Sequence, residues 1–208
     1  MSTQSYSMEA LKMIELYVRS FGGIWFGVAY EDQQVFATSF AGEEKKALRD
    51  LLTCIPFNVA FQVSSAGSAF AESVLSLVKG IYEGKDSGEY VALATEHLPS
   101  YTRKVLRAVL LIPVGYVSTY GLVADAVGGG ARAVGNVMAA NPFAPIVPCH
   151  RVVGAGLGLG GYGGGLDVKH GFLAREKHGY TEKREIPVEG GKLQVFPVES
   201  VLRKLKQK

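Results

Sequence analysis

The stretch STYGLVADAVGGGARAVGNVMAA, residues 118–140, decides the fold. Ser118 or Thr119 can cap a short helix over Tyr120 to Val127, which stops at Gly128-Gly129-Gly130. A second helix, Ala131 to Ala140, starts at once and ends before Asn141-Pro142. Two short helices around a tight glycine turn have the outline of a helix-turn-helix. The same pattern is also that of an ordinary αα-hairpin inside a helical domain, which pattern alone favours. The second helix has a peculiar composition: Ala131, Ala133, Gly135, Ala139 and Ala140 are small, and Arg132 is its only charge. Small residues let a helix backbone approach another surface closely, and that surface is either a nucleic-acid groove or a neighbouring helix.

Working towards the N-terminus, Pro99 marks a boundary. Ser100 can cap a helix running through Leu111, with Val105, Leu106, Val109 and Leu110 inward, broken by Pro113 and Gly115. Before Pro99 the chain reads as alternating strands and helices. Met8 to Phe21 has helical spacing at Leu11, Ile14 and Val18 and stops at Gly22-Gly23. Ile24 to Tyr30 and Val35 to Phe40 form a hairpin across Glu31 to Gln34. Glu43 to Leu52 is a helix, Phe57 to Val63 a strand, and Ser68 to Lys79 a serine-capped helix. Gly84 to Gly88 is turn-like, before the short apolar run Tyr90 to Ala94. This half carries no reactive constellation and reads as scaffold. Beyond Gly179, Leu193 to Val198 reads as a strand and Ser200 to Lys208 as a basic helix, either solvated, packed, or reaching phosphates. The expected division is 1–98, 99–179 and a 180–208 extension.

The 208 residues are 48% hydrophobic and 20% charged, which suits one large domain or two small ones. Such a chain buries roughly 70% of its unfolded surface and needs no disulfide or structural metal. Cys54 and Cys149 cannot form a disulfide framework, and His97, His170 and His178 lack metal-ligand spacing. No apolar run approaches the ~20 residues of a membrane span, and Met1 to Glu9 lacks the order of a secretory signal. A reducing, cytoplasmic location is the expectation. The net charge of +3 is divided unevenly. Residues 1–98 carry 7 Lys and Arg against 12 Asp and Glu; residues 99–208 carry 15 against 7. A basic second half points to a polyanion partner.

Chemistry concentrates in Pro148-Cys149-His150-Arg151-Val152-Val153. A thiol with an unperturbed pKa near ~8.5 is mostly protonated at neutral pH; cationic neighbours lower that value and make a nucleophile. Adjacent side chains diverge, so a bridging water would carry the proton from Cys149 to His150. Cys54, inside an apolar run, reads as a small core hydrophobe. Arg151 reads as a structural ion-pair partner.

These residues, with their surroundings, resemble the O6-alkylguanine-DNA alkyltransferases (methylated-DNA–protein-cysteine methyltransferases). Pro148 to Val153 is similar to that family's signature. Asn141 stands eight residues before Cys149, Ala131-Arg132-Ala133-Val134-Gly135 opens the recognition helix, and Tyr120 heads the first helix. Tyr162-Gly163-Gly164-Gly165-Leu166 and Lys169 resemble the pocket loop, and Glu176 lies 27 residues past the cysteine. The resemblance covers roughly residues 99–178. It implies a ribonuclease-H-like α/β domain, then a mainly helical, winged-helix-like domain containing the helix-turn-helix. It implies a suicide transferase that binds duplex DNA containing O6-alkylguanine, through the minor groove, as a monomer and with no cofactor or metal. Arg132 would fill the stack while Tyr120 rotates the phosphate, and Ala131 and Gly135 would permit close approach. In the pocket Glu176 would hold His150, which takes the thiol proton, and Cys149 would attack the alkyl carbon. Tyr162 would assist the departing base, Asn141 would brace the cysteine turn, and Pro148, Val152, Gly163 and Lys169 would shape the walls.

Three departures accompany the resemblance. Gly163 stands where some members carry a serine, the glycine turn is two residues shorter, and the 180–208 extension is extra. Only three asparagines occur, a composition suited to a heat-adapted prokaryote. Gly156, Gly158 and Gly161 satisfy G-x-G-x-x-G, yet more glycine follows instead of a helix, so a dinucleotide site is a poor reading. A lesion-binding protein without chemistry and a cysteine hydrolase are the competing classes. The first leaves Cys149, His150 and Glu176 unexplained, and the second leaves Arg132 unexplained.

Overall fold

The computed structural model describes residues 13–86 and 90–206. Its first half is built on a meander of β1 (Met13–Phe21), β2 (Ile24–Glu31) and β3 (Gln34–Ala41). Helix α1 (Glu44–Leu52), strand β4 (Ala60–Val63), helix α2 (Ala69–Tyr82) and the two-residue β5 (Ala92–Leu93) follow. The sheet order is β4-β1-β2-β3-β5, with β4 parallel to β1 and β5 parallel to β3. Ser68 caps α2 by accepting from the Ala71 N–H, as its position suggested.

The helix expected over Met8 to Phe21 is corrected: Met13–Phe21 is strand, and residues 8–12 lie outside the described residues. Ile14 and Val18 are four apart, which satisfies either period. Leu16, between them and fully buried, satisfies only the alternation of a strand. Gly22 and Gly23, at φ +59° and +83°, are not a helix stop. They form the two-residue turn whose left-handed residues match the twist of a hairpin. The turn-like stretch after Gly84 runs into residues 87–89, outside the described ones.

The second half opens with α3 (Ser100–Leu110). Pro99 occupies its cap position with no side-chain bond, so Ser100 is the first helical residue and not the cap. Leu110 is exposed, and Ala108 takes its place inward. Strand β6 (Tyr116–Thr119) leads into α4 (Tyr120–Val127), capped by Thr119 accepting from the Leu122 N–H. Ser118 is instead in the strand, its Oγ donating to the Gln194 carbonyl. After α5 (Ala131–Ala139) come a 3₁₀ turn (Cys149–Arg151), β7 (Val152–Val153), a second 3₁₀ turn (Ala155–Leu157) and α6 (Leu166–Arg175). The expected tail strand appears as β9 (Gly191–Pro197) and the tail helix as α7 (Val198–Leu205). Ahead of them lies β8 (Arg184–Val188), which the sequence reading did not anticipate. The second sheet runs β7-β6-β9-β8. The tail is therefore packed: β9 pairs with β6, and Val198 and Val201 are buried with Val117, Val153 and Leu173.

One apolar cluster runs through both halves, from Phe26 and Val78 to Val109, Val134 and Val147. Polar ties reinforce it beside the chemistry. The Thr38 N–H donates to the Pro142 carbonyl at 2.8 Å, and its hydroxyl to the Ala144 carbonyl at 2.9 Å. Strand β3 thereby anchors the segment that delivers Cys149. No helix among the described residues is long and apolar enough to cross a membrane.

Candidate functional site

Cys149 begins the 3₁₀ turn and is only 5% exposed. Asn141 fixes the approach to it. Its Nδ2 donates to the Val147 carbonyl at 2.9 Å, while its Oδ1 accepts from the Phe143 N–H at 3.0 Å. The Asn141 amide, the Tyr162 hydroxyl and the Lys169 ammonium all stand close enough to the sulfur to favour its thiolate. Burial outweighs them and raises the thiol pKa above its ordinary value. The expectation that cationic neighbours lower this pKa is thus corrected: the resting group is a neutral thiol.

Behind the sulfur lies a buried polar network. His150 Nε2 and Glu176 Oε1 are 2.8 Å apart. A carboxylate only accepts, so Nε2 carries the hydrogen and Nδ1 keeps a lone pair. Nδ1 is buried and bonds to no described residue. Arg151 completes the network: Nε and Nη2 donate to Glu176 at 2.8–3.1 Å, and Nη1 donates to the Ile112 carbonyl at 2.7 Å. Burial opposes ionisation of Glu176, but His150 and Arg151 prevail and hold its pKa down at about 2. Desolvation lowers the pKa of His150 in spite of Glu176, leaving a neutral imidazole at neutral pH. Phe172 stacks on that ring, centroids 4.3 Å apart and planes 18° apart.

A cavity of about 690 Å³ opens over Cys149. Tyr120, Ala131, Arg132, Gly135, Tyr162 and Gly163 line it together with the cysteine, so one cleft gathers residues spread along the chain from Tyr120 to Gly163. Helix α5 turns Val134, Val137 and Met138 inward and leaves Ala131, Arg132, Ala133, Ala139 and Ala140 exposed. Its small residues thus face solvent, not a neighbouring helix. A Cβ added at Gly135 or Gly163 would meet nothing within 4 Å. The Tyr120 hydroxyl donates to the Gly161 carbonyl at 3.1 Å.

Other expected site residues stand behind the cavity. Pro148 and Val152 are buried and do not line it, and neither does Lys169, which is fully buried. Lys169 Nζ donates to the carbonyls of Val152 at 2.6 Å and Gly161 at 3.1 Å, and desolvation pulls its pKa down to about 8. Its contribution is to pin the glycine-rich loop. Asn136, Met138, Ala155 and Gly161 also line the cavity, unforeseen from sequence. Asn136 had a signal, since it lies one helical turn after Arg132 on the same face. Phe172 had none, because its stacking partner is 22 residues away in another element. A second groove of about 820 Å³ between the two halves shares Ala139, Tyr162 and Gly163 with the first. His97, His170 and His178 are exposed, as expected. No cluster of metal-binding side chains occurs among the described residues.

Comparison with known proteins gives a consistent picture. Residues 100–178 match the family model described as 6-O-methylguanine DNA methyltransferase, DNA binding domain. A methylated-DNA–protein-cysteine methyltransferase of Mycobacterium leprae is 44% identical over 115 residues, covering 53% of this chain and 67% of that one. The namesake protein of Pyrobaculum aerophilum is 52% identical over 73 residues, 35% of this chain and 49% of that one. Matches to the curated relatives thus span from about half to two thirds of their length. Solved structures extend the likeness into the first half. The O6-methylguanine-DNA methyltransferase of Pyrococcus kodakaraensis aligns with a TM-score of 0.62 at 28% identity, over 77% of this chain and 98% of that one. A Mycobacterium tuberculosis OGT solved in complex with DNA aligns with a TM-score of 0.63 at 27% identity, over 78% and 92%.

Proposed function

Because this chain belongs to the methylated-DNA–protein-cysteine methyltransferase family, we infer that it repairs O6-alkylguanine in duplex DNA by moving the alkyl group irreversibly onto Cys149. The observation that carries this reading is the cavity itself. A buried cysteine forms its floor, a histidine–carboxylate pair backs the floor, and a helix face of small residues with one arginine forms its rim.

Duplex DNA lies against α5, whose exposed alanines and Gly135 permit the backbone to come close. Arg132 takes the place of the extruded nucleotide, and Tyr120 guides the adjoining phosphate. Extrusion costs a few kcal/mol, least for a poorly paired lesion, so damage is presented preferentially. In the cleft, His150 Nδ1 accepts the thiol proton through a water, while Glu176 stabilises the imidazolium that results. The sulfur then attacks the alkyl carbon: the S–C bond forms, the C–O6 bond breaks, and the pair of electrons leaves with guanine. Tyr162 donates a hydrogen bond to the departing base, and the proton that His150 took from the thiol passes through water to that base. Lys169 holds Gly161, and with it the wall that carries Tyr162. Asn141 braces the cysteine turn. The thioether has no activated leaving group, so each molecule acts once. Gly163, open on its side-chain face, leaves room where a serine would narrow the cleft.

The meander with β4 parallel to β1 supports a ribonuclease-H-like first half. The β8–β9 hairpin beside α3 to α5 supports a winged-helix-like second half. The proposed division remains 1–98 and 99–179, with 180–208 an extension packed on the second. Mixing the protein with a duplex containing one O6-methylguanine tests the function by intact mass. A gain of one methyl group, absent in Cys149→Ser, is expected; binding without mass gain would make it a lesion-binding protein instead.

A further inference from the structure

The extension beyond residue 179 touches the cavity wall. Gly154 to Gly161 carries that wall, contributing Ala155 and Gly161 to the lining. Its own hydrogen bonds are few: Gly154 N–H to the Gly158 carbonyl at 2.7 Å, and Leu157 N–H to the Gly154 carbonyl at 3.1 Å. Leu157 sits at φ +63°, a left-handed conformation that a leucine rarely adopts without outside support. From the inner side, Lys169 and Tyr120 both hold the Gly161 carbonyl. From the outer side the support is α7. Leu157 and Leu159 pack into the cluster that contains Val198 and Val201, beside Leu202 and Leu205. Lys204 Nζ donates to the Gly156 carbonyl.

We propose that α7 is a clamp on the wall of the alkyl-acceptor cavity, with Lys204 a positioning residue that sets how well the cavity captures its base. A loop of alternating glycines has the largest backbone freedom a chain can have. Unheld, it would sample open forms, and the base would bind only the closed fraction. Lys204 reaches no reacting atom; it acts through Gly156. The proposal rests on the reading of this cavity as the alkyl-acceptor site.

The full-length protein and its Lys204→Ala, Lys204→Met and Lys204→Arg variants are compared by intact mass against free O6-benzylguanine at increasing concentration. Ala and Met are expected to raise the half-saturating concentration about fivefold, the scale of one hydrogen bond from a charged group at a partly exposed site. The maximal rate and melting temperature stay unchanged, and Arg restores capture. Hydrogen exchange at residues 154–161 should quicken in Ala and Met alone. Wild-type capture and wild-type exchange in Lys204→Ala would overturn the clamp. So would a loss seen only with duplex and abolished by salt, which would make Lys204 a phosphate contact. If the unmodified protein gains no alkyl group at all, the function falls, and the exchange result still decides whether α7 holds the loop.

Discussion

At the scale of single residues, the site is set by which charges its neighbours can support. Burial keeps Cys149 a neutral thiol and His150 a neutral imidazole, while His150 and Arg151 keep Glu176 ionised. A permanently ionised sulfur would be open to stray oxidants, whereas burial keeps this one protonated at rest. The pH dependence follows with its sign. Both His150 and Glu176 have native pKa values below their unfolded ones, so both stabilise the fold above those unfolded values. That stabilisation fades first below about pH 6.5, where an unfolded histidine charges, and further below about pH 4.3 as unfolded carboxylates protonate. Denaturant titrations from pH 7 down to pH 3 should show a steady loss, and a flat profile would contradict it. Glu176→Gln leaves the Arg151 guanidinium buried beside a neutral amide. It should cost about 3–5 kcal/mol, the usual scale for breaking a buried ion pair, and slow alkylation together with it. The hexapeptide around Cys149 was legible in the sequence itself, and Glu176 only through the family resemblance that hexapeptide carries. The direction of the thiol shift was not, because desolvation depends on what the fold stacks around the sulfur.

At the scale of elements, the exposed small residues of α5 exclude a neighbouring helix as the surface they meet. Its alanines and Gly135 point outward, with Arg132 among them at the cavity rim. Arg132→Ala should slow repair in duplex far more than reaction with free O6-benzylguanine, compared side by side by mass. Equal losses would remove its role in extruding the base. Gly135→Ala has space within the folded protein, since a Cβ there meets nothing. It should therefore leave the fold intact while weakening duplex binding, read by comparing melting and duplex affinity with the unmodified protein. The two helices and their glycine turn were readable because caps and breakers are local signals. Strand β1 was not, because two of its apolar residues fit a helix equally well and the glycines after it terminate either element. Strand β8 was hidden for another reason. Arg184-Glu185-Ile186-Pro187-Val188 is polar, proline-bearing and half exposed, and it is a strand only because β9 lies beside it.

At the scale of the whole molecule, the first half buttresses and the second half reacts. The shared core and the Thr38 bonds to residues 142 and 144 join them where the cysteine segment begins. Aromatic contacts extend the joint, from Phe40 and Tyr82 to Phe172 and on to His150. A rigid surround has a consequence for the spent protein. An added alkyl group on a sulfur that is 5% exposed overpacks its site, at a cost of about 1–3 kcal/mol. The alkylated form should melt several degrees below the free form, and an unchanged melting temperature would reject that. The basic surplus of residues 99–208 was legible in the sequence as the half that meets a polyanion. That the 180–208 tail packs on this half, with α7 beside the cavity wall, was not, since pairing between β6 and β9 joins positions some 80 residues apart.

A sulfur that accepts one alkyl group and never releases it must act stoichiometrically, which a titration reads. A fixed amount of protein is mixed with excess duplex bearing O6-methylguanine, and restored guanine is counted over time. The count should rise and stop at one per protein molecule, matched by one methyl on Cys149. Continued turnover past one equivalent, or restored guanine with an unmodified cysteine, would exclude irreversible transfer to Cys149.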